Sequence, residues 1–123
     1  MEIGIDCVDI SAFKRSILIE GFKNRVFTEN EISYCEKKAN PIQHYAVRYA
    51  GKEAVMKALS LDNLAMSLNQ IEILDDEKGR PFVNILDSGL NAKHRTIKIS
   101  LSHSDSIALA FVVAIADQKM SEG

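Results

Sequence analysis

The sequence predicts an α+β fold in which an antiparallel sheet packs against helices on one face. Segments in both halves of the chain alternate apolar and polar residues with a period of two, which is typical of strands. Helical spacing of apolar residues marks the segments between them, and the order of elements lacks the strict βαβ alternation of a parallel sheet. A chain of 123 residues is long enough for one core, so we expect residues 1–123 to form a single domain.

The first predicted strand opens the chain. Ile3 and Ile5 alternate with Gly4 and Asp6, so the isoleucines and Asp6 must lie on opposite faces. We expect a half-buried strand in which Asp6 points outward between Gly4 and Val8.

Three helices are predicted next. The first is short and amphipathic and is closed by Gly21. Thr28 followed three residues later by Glu31 is a capping box that starts the second helix, which ends where Pro41 disfavours helical geometry in the preceding residue. The predicted helices span residues 11–20, 28–39 and 41–61.

Two hairpins complete the pattern. A strand, a charged turn containing Gly79 and a return strand form the first hairpin. Alternating residues, a polar break and a continuous apolar run form the second, and a small helix is predicted between the hairpins. The strands of the first hairpin span 71–74 and 82–85, the small helix 88–93, and the second hairpin 97–116.

Composition narrows the function classes. Hydrophobic residues make up 46% and charged residues 26% of the chain, which excludes a disordered protein. The net charge of −2 gives no overall reason to bind nucleic acid or an anionic membrane. The longest apolar run, Ile107–Ala116, is too short for a membrane helix, and the opening lacks a basic signal region, so we expect a cytoplasmic protein. Cys7 and Cys35 lack the spacing of a zinc site or a disulfide framework.

The third helix carries the first chemical constellation. It is apolar or small nearly all round, which predicts a central position. Glu53 and Lys57 lie one turn apart among alanines, and such a pair is either a surface ion pair worth about 0.2–0.5 kcal/mol or a site for a cation and a phosphate. Asp6 is either a water-facing acid or, with Glu53, the pair of hard oxygen ligands that Mg²⁺ typically takes from protein.

A second constellation lies at the turn of the last hairpin. Its hydroxyls and its imidazole can donate hydrogen bonds to phosphate oxygens, and Arg48 and Arg80 add cationic groups. A turn that is rich in serine for conformational reasons is the alternative. A Ser-His-Asp hydrolase is disfavoured, because triad members meet through the fold and no GxSxG elbow is present. The turn residues are Ser100, Ser102, His103, Ser104 and Asp105.

Five ordered motifs give the chain a resemblance to a known family over nearly its whole length. Each looks like one family motif: GxDxVxI, R-V/I-F/L-T-x-x-E, the helix R-W/F-A-x-K-E-A-x-x-K-A-L/F, the turn G-R/K-P and the close S-L/I-S-H-S/T. The matching segments are Gly4–Ile10, Arg25–Glu31, Arg48–Leu59, Gly79–Pro81 and Ser100–Ser104. The chain thus resembles the holo-acyl-carrier-protein synthases, the short form of the 4'-phosphopantetheinyl transferases.

The resemblance implies a 4'-phosphopantetheinyl transferase-like fold and a homotrimer with coenzyme A sites between neighbouring subunits. It also implies a magnesium-dependent transfer of 4'-phosphopantetheine from the co-substrate coenzyme A to a serine of an acidic apo acyl carrier protein. Adenosine 3',5'-bisphosphate would be released. A binding module without transfer and a metal-dependent phosphohydrolase are the alternatives.

Site residues are implied in the same way. Asp6 and Glu53 would coordinate Mg²⁺ together with the pyrophosphate of coenzyme A, and Lys57 would stabilise charge on the phosphates, so these three form the catalytic set. Arg48 and His103 would bind phosphate groups of the co-substrate. Either Glu53 or a metal-bound water would accept the proton of the carrier serine.

The remaining cofactor-binding residues implied by the family are Ser104 and the turn Gly79, Arg80 and Pro81, which would lie near the adenine bound by a neighbouring subunit. One departure concerns the carrier. Family members commonly place a basic residue where this chain has Ala12, and the nearest basic residues of the helix follow at positions 14 and 15. We therefore expect carrier recognition to be shifted or selective.

Overall fold

The structure, a computed structural model, describes residues 1–59, 67–86 and 95–117. It confirms the predicted α+β class, with antiparallel strands packed against helices. A single turn of 3-10 helix at Leu68–Gln70 precedes the first hairpin. The strands are β1 (Glu2–Asp9), β2 (Ile71–Asp75), β3 (Pro81–Ile85), β4 (Arg95–His103) and β5 (Ile107–Ala116), and the helices are α1 (Ile10–Ser16), α2 (Phe22–Val26), α3 (Glu29–Glu36) and α4 (Pro41–Ala58).

The strands form two separate antiparallel groups. β5 lies between β1 and β4 in a three-stranded sheet, and β2 pairs only with β3 among the described strands. Asp6 pairs with Ala110 and His103 with Ala108. Because these partners are neighbours on β5, Asp6 and His103 lie towards the same end of the sheet.

Helix α4 packs against β1, and the contact is unusually close at Gly4. A Cβ atom placed on Gly4 would lie only 2.0 Å from the carbonyl oxygen of Ala54 and 2.8 Å from the amide nitrogen of Ala58. The predicted central position of this helix is confirmed, since most of its residues from Tyr45 onward are buried. A glycine at position 4 and alanines on α4 therefore bring the two backbones into contact.

The predicted orientation of β1 is wrong. Gly4 is buried and Asp6 lies on the helix-covered side, whereas Ile3 and Ile5 are 59% and 55% exposed. The physical reason is that Gly4, which has no side chain, lets α4 approach on its side of β1, so the isoleucines face the other way. Ile5 pairs with Phe111 of β5, and the two side chains belong to an apolar sheet face that α4 does not cover.

Helix boundaries follow local capping. The Thr28 capping box is confirmed, with the Thr28 hydroxyl accepting from the Glu31 amide and the Glu31 carboxylate accepting from the Thr28 amide. Helices α1 and α3 end earlier than predicted, at Ser16 and Glu36, and α2 was not predicted. The small helix predicted at 88–93 lies outside the described residues. Among the helices that are described, none combines the length and apolar character needed to cross a membrane.

Candidate active site

The first candidate site is a cavity of about 360 Å³ between β1, α1 and α4. Strand β1 supplies Asp6, and α4 supplies Tyr49 and Glu53, which lie one helical turn apart on one face. Phe13 and Phe22 form an apolar wall, with ring centroids 5.4 and 6.1 Å from that of Tyr49. The fold thus brings the predicted carboxylates of Asp6 and Glu53 to one cavity.

Lys57 belongs to the same site through Asp6. Its Nζ lies 3.1 Å from Oδ1 of Asp6 and donates to the carbonyl oxygen of Ile5 at 2.9 Å. Lys57 is therefore not the helix-surface partner of Glu53 that its spacing allowed, and Asp6, with a side chain only 19% exposed, is not a water-facing acid. Because the Lys57 side chain is 56% exposed, its ammonium group is accessible to a ligand entering the cavity.

Tyr49 is a site residue that sequence reasoning missed. Burial, the charge of Glu53 and a hydrogen bond with Glu53 raise the pKa of Tyr49, and the charge of Asp6 contributes. The hydroxyl therefore stays protonated at neutral pH and serves Glu53 as a donor. Its position four residues before Glu53 was the available signal.

The donor set fits a hard divalent cation. Asp6 and Glu53 offer carboxylate oxygens in one cavity, and the ammonium group of Lys57 on Asp6 shows that the site accommodates positive charge. Within residues 1–59, 67–86 and 95–117, no group of three or more His, Cys, Asp or Glu residues could hold a metal. Mg²⁺ is commonly bound by one or two protein carboxylates, and phosphate and water oxygens fill its remaining coordination positions.

A second cavity, of about 190 Å³, gathers another part of the predicted set. Its lining includes Arg48, His103, Gly79 and Pro81, together with Tyr34, His44, Val47, Asp75 and Leu101. The turn between β2 and β3 thus lies beside Arg48 and His103 of its own chain. The cavity combines cationic, imidazole and aromatic groups, which suit a phosphate and a planar ring.

Arg48 is held rigidly in that second cavity. It is 2% exposed, its Nε donates to the carbonyl oxygen of Ile73 at 3.1 Å, and its Nη2 lies 3.3 Å from Oδ1 of Asp75. The Tyr34 ring stacks 4.2 Å from the guanidinium carbon, and its hydroxyl donates to Oδ2 of Asp75 at 2.7 Å. Tyr34 and Asp75 were not predicted, because nothing in the local sequence links them to Arg48.

His44 also lines the second cavity and was not predicted. Its ring centroid lies 6.3 Å from that of His103. Burial, followed by the positive charges of Arg48 and Lys38, lowers the pKa of His44 below its ordinary value of 6.5. His44 is therefore neutral at neutral pH and offers one donor and one acceptor to a ligand.

Arg80 and Ser104 do not line either cavity. Arg80 borders a different cavity of about 400 Å³ beside Phe82 and Lys98. The Ser104 hydroxyl accepts hydrogen bonds from the amides of Ser106 and Ile107, both at 3.2 Å, so it shapes the β4–β5 turn. Their proposed contact with a ligand stays a prediction.

Comparison with known proteins places these features in a family. Residues 2–115 match the model of the 4'-phosphopantetheinyl transferase superfamily. Similar curated proteins include the holo-acyl-carrier-protein synthase of Cytophaga hutchinsonii, 39% identical over 90% of this chain and 94% of that protein. The synthase of Thermodesulfovibrio yellowstonii is 43% identical over 90% of this chain and 95% of that protein.

Solved structures agree. The Helicobacter pylori holo-acyl-carrier-protein synthase in complex with coenzyme A is 28% identical, has a TM-score of 0.80, and the match covers 91% of this chain and 98% of that one. The Bacillus anthracis synthase, in complex with coenzyme A, gives 27% identity and a TM-score of 0.80 over 95% and 96% of the two chains. Sequence, fold and the shared motifs agree that this chain belongs to the 4'-phosphopantetheinyl transferase superfamily and, within it, to the holo-acyl-carrier-protein synthase family of enzymes.

Proposed function

We propose that this enzyme transfers 4'-phosphopantetheine from coenzyme A to a serine of an apo acyl carrier protein, and that the reaction needs Mg²⁺. The observation that carries the proposal is the meeting of Asp6 and Glu53 in one cavity, with Lys57 bound to Asp6. The names of the relatives and the coenzyme A complexes of similar structures support the same substrates.

Asp6 and Glu53 would hold the metal, which supplies neutralisation of charge on the pyrophosphate of coenzyme A. The exposed Lys57 ammonium group, 3.1 Å from Oδ1 of Asp6, would add positive charge to the phosphates. The carrier serine oxygen attacks the β-phosphorus, the bond from that phosphorus to the bridging oxygen breaks, and adenosine 3',5'-bisphosphate leaves with the electron pair. Glu53 would accept the serine proton.

The second cavity would receive the nucleotide end of coenzyme A. Arg48 and His103 would bind phosphate oxygens, and the turn Gly79–Pro81 would contact the adenine. Arg48 is preorganised for this role by Asp75 and Tyr34, so it would lose little conformational entropy on binding. Ser104 and Arg80 would complete the phosphate contacts only where a neighbouring subunit brings them near.

A homotrimer is part of the proposal. The uncovered sheet face carries large apolar side chains that a monomer would leave in water, and covering such a face is a common reason for assembly. The face includes Ile3, Ile5, Ile107, Leu109, Phe111 and Ile115, each between 38% and 59% exposed. Sedimentation should give three times the chain mass of 13.7 kDa for the wild type and a smaller species for Phe111→Arg. Leu18→Arg, outside the sheet, is the matched control, and a monomeric wild type would contradict the trimer.

The acidic carrier protein would dock beside the first cavity. The exposed Lys14 and Arg15 of α1 supply positive charge there, and the cavity itself is lined by Ala12 of the same helix. Two expectations from the sequence stay predictions. One is that residues 1–123 form a single domain, and the other is that the protein is cytoplasmic.

Intact-mass spectrometry tests the reaction directly. An apo acyl carrier protein incubated with the enzyme, coenzyme A and magnesium chloride should gain the mass of one phosphopantetheine. The gain should disappear with EDTA and with Glu53→Gln, and it should persist with Glu29→Gln, an exposed glutamate outside both cavities. An unchanged gain in EDTA would refute metal dependence, and no gain across several carriers would refute the transferase.

A further inference from the structure

A buried ion pair lies outside both cavities and takes no part in the proposed chemistry. The Nζ atom of Lys52 is 2.7 Å from Oε1 of Glu31, and both side chains are fully buried. Two charges removed from water are usually less favourable than a well-packed apolar pair of similar size. The pair therefore points to a requirement other than stability.

Every polar atom of the pair has further partners in the backbone. Glu31 accepts through Oε2 from the amide of Ile73 at 2.7 Å and through Oε1 from the amide of Thr28 at 3.0 Å. Lys52 donates to the carbonyl oxygen of Leu68 at 3.0 Å and to that of Ile71. The pair thus joins the start of α3, the middle of α4 and the strand β2.

Arg48 supplies a second link of the same kind. It lies one turn before Lys52 on α4 and donates to the carbonyl oxygen of Ile73, two residues beyond the carbonyl that Lys52 binds. Glu31 binds the amide of that same Ile73. Charged side chains of α3 and α4 therefore take the place of a neighbouring strand along this edge of β2.

These links are directional, as are the hydrogen bonds of Lys57 at the end of α4 to Ile5 and Asp6, whereas the apolar contacts of α4 are not. Most of the helix surface is alanine, valine or another apolar residue, and such contacts limit rotation about the helix axis only weakly. Glu53 directly follows Lys52, about 100° further round the helix, so fixing Lys52 on β2 also fixes the direction of Glu53. The same strand ends at Asp75, which holds Arg48 in the second cavity.

We propose that Glu31 and Lys52 are positioning residues for the transfer reaction: their buried pair sets the rotation of α4 so that Glu53 faces Asp6 while Arg48 stays in the second cavity. The inference rests on the proposed function and assigns a role to the capping-box segment, which supplies no group to either cavity. The pair touches neither substrate nor metal and acts through α4.

The test compares Glu31→Gln, Lys52→Met and the double variant with Val55→Ala, a buried change on the same helix that weakens packing without altering a polar contact. All are assayed with coenzyme A, magnesium chloride and apo carrier at a temperature where each is fully folded. We expect kcat to fall about 10- to 100-fold in the three pair variants and the magnesium concentration for half-maximal rate to rise. Val55→Ala should keep a kcat close to that of the wild type despite its lower Tm.

A second readout does not depend on turnover. Calorimetric titration with coenzyme A in magnesium chloride should show weaker binding by the pair variants than by Val55→Ala. The affinity of the double variant for coenzyme A should fall about as much as that of either single variant, because both changes break the same ion pair. Glu31→Gln keeps the volume and an acceptor oxygen, so it carries the test if Lys52→Met does not fold. Folded pair variants with wild-type kcat, metal dependence and coenzyme A binding would overturn the inference, whereas a wild type without transfer would instead overturn the proposed function.

Discussion

The close contact between β1 and α4 makes a sharp prediction for Gly4→Ala. The new Cβ would lie 2.0 Å from the Ala54 carbonyl oxygen, a distance that must open to at least 3.0 Å, so the backbones must separate by about 1 Å. Both clashing atoms of α4 belong to the backbone, so no side-chain rotation relieves the overlap. The helix itself must move away from β1.

The size of the effect follows from that displacement. Overpacking of a dense core typically costs about 1–3 kcal/mol, and a contact between two backbones belongs at the upper end. For a chain of this length, about 3 kcal/mol corresponds to a fall in Tm of about 10 °C. Moving Glu53 about 1 Å relative to Asp6 should also reduce transfer about 100-fold in the molecules that remain folded.

Gly51→Ala is the matched control, because it makes the same chemical change on α4. A Cβ at Gly51 would meet the Cδ1 atoms of Ile73 and Ile99 at 2.5 and 3.2 Å, and these are flexible side-chain ends. Alanine also gains about 1 kcal/mol over glycine inside a helix, which offsets the crowding. Thermal unfolding and the mass assay should therefore find Gly51→Ala close to the wild type. A Gly4→Ala variant with wild-type Tm and activity would refute this account of the helix–strand contact.

Two further predictions concern the cavities. Lys57→Met should lower kcat about 100-fold or more. It should change Tm by only a few degrees, because the exposed ion pair contributes at most about 1 kcal/mol to stability. A large fall in Tm, or an unchanged kcat, would contradict this prediction. His44, whose pKa is lowered in the folded state, binds its proton more readily when unfolded, so stability should be full above pH 6.5 and fall as the pH drops below it. His44→Gln should flatten that part of the Tm–pH curve, and an unchanged slope would refute the assignment.

The residues of the first candidate site could be named from the sequence because they belong to motifs of fixed local spacing, and the structure brings Asp6 and Glu53 to one cavity. Glu53 and Lys57 on an alanine-rich helix, and Asp6 on an alternating strand, allowed a site for a cation and a phosphate as one of two interpretations, and the resemblance carried by five ordered motifs favoured it. Which of these charged residues bind each other could not be predicted from the sequence. Lys57 binds Asp6, 51 positions away, rather than its helical neighbour Glu53, and only the packing of α4 on β1 decides between those partners.

The orientation of β1 was wrong for a related reason. A period of two shows that Ile3 and Asp6 lie on opposite faces but does not say which face meets the helix. Hydrophobicity favoured burial of Ile3, whereas the size of Gly4 determined the contact, because α4 approaches the smaller face. The sequence did contain a signal for the observed orientation. It is a glycine between two isoleucines, together with a later helix that is rich in alanine.

The residues of α4 that contact the two sheets each have a separate role in positioning the helix. Ala54 faces Gly4, which sets the distance to β1. Arg48 and Lys52 face β2 and bind its backbone, which sets the rotation of the helix. Glu53 is the charged residue of α4 that lines the cavity with Asp6, so its position there depends on the distance and the rotation of the helix together. Changes on the Gly4 side and on the Lys52 side both act on Glu53 through the position of α4, so their effects on the activation free energy should couple, and a double-mutant cycle on kcat should show a departure from additivity.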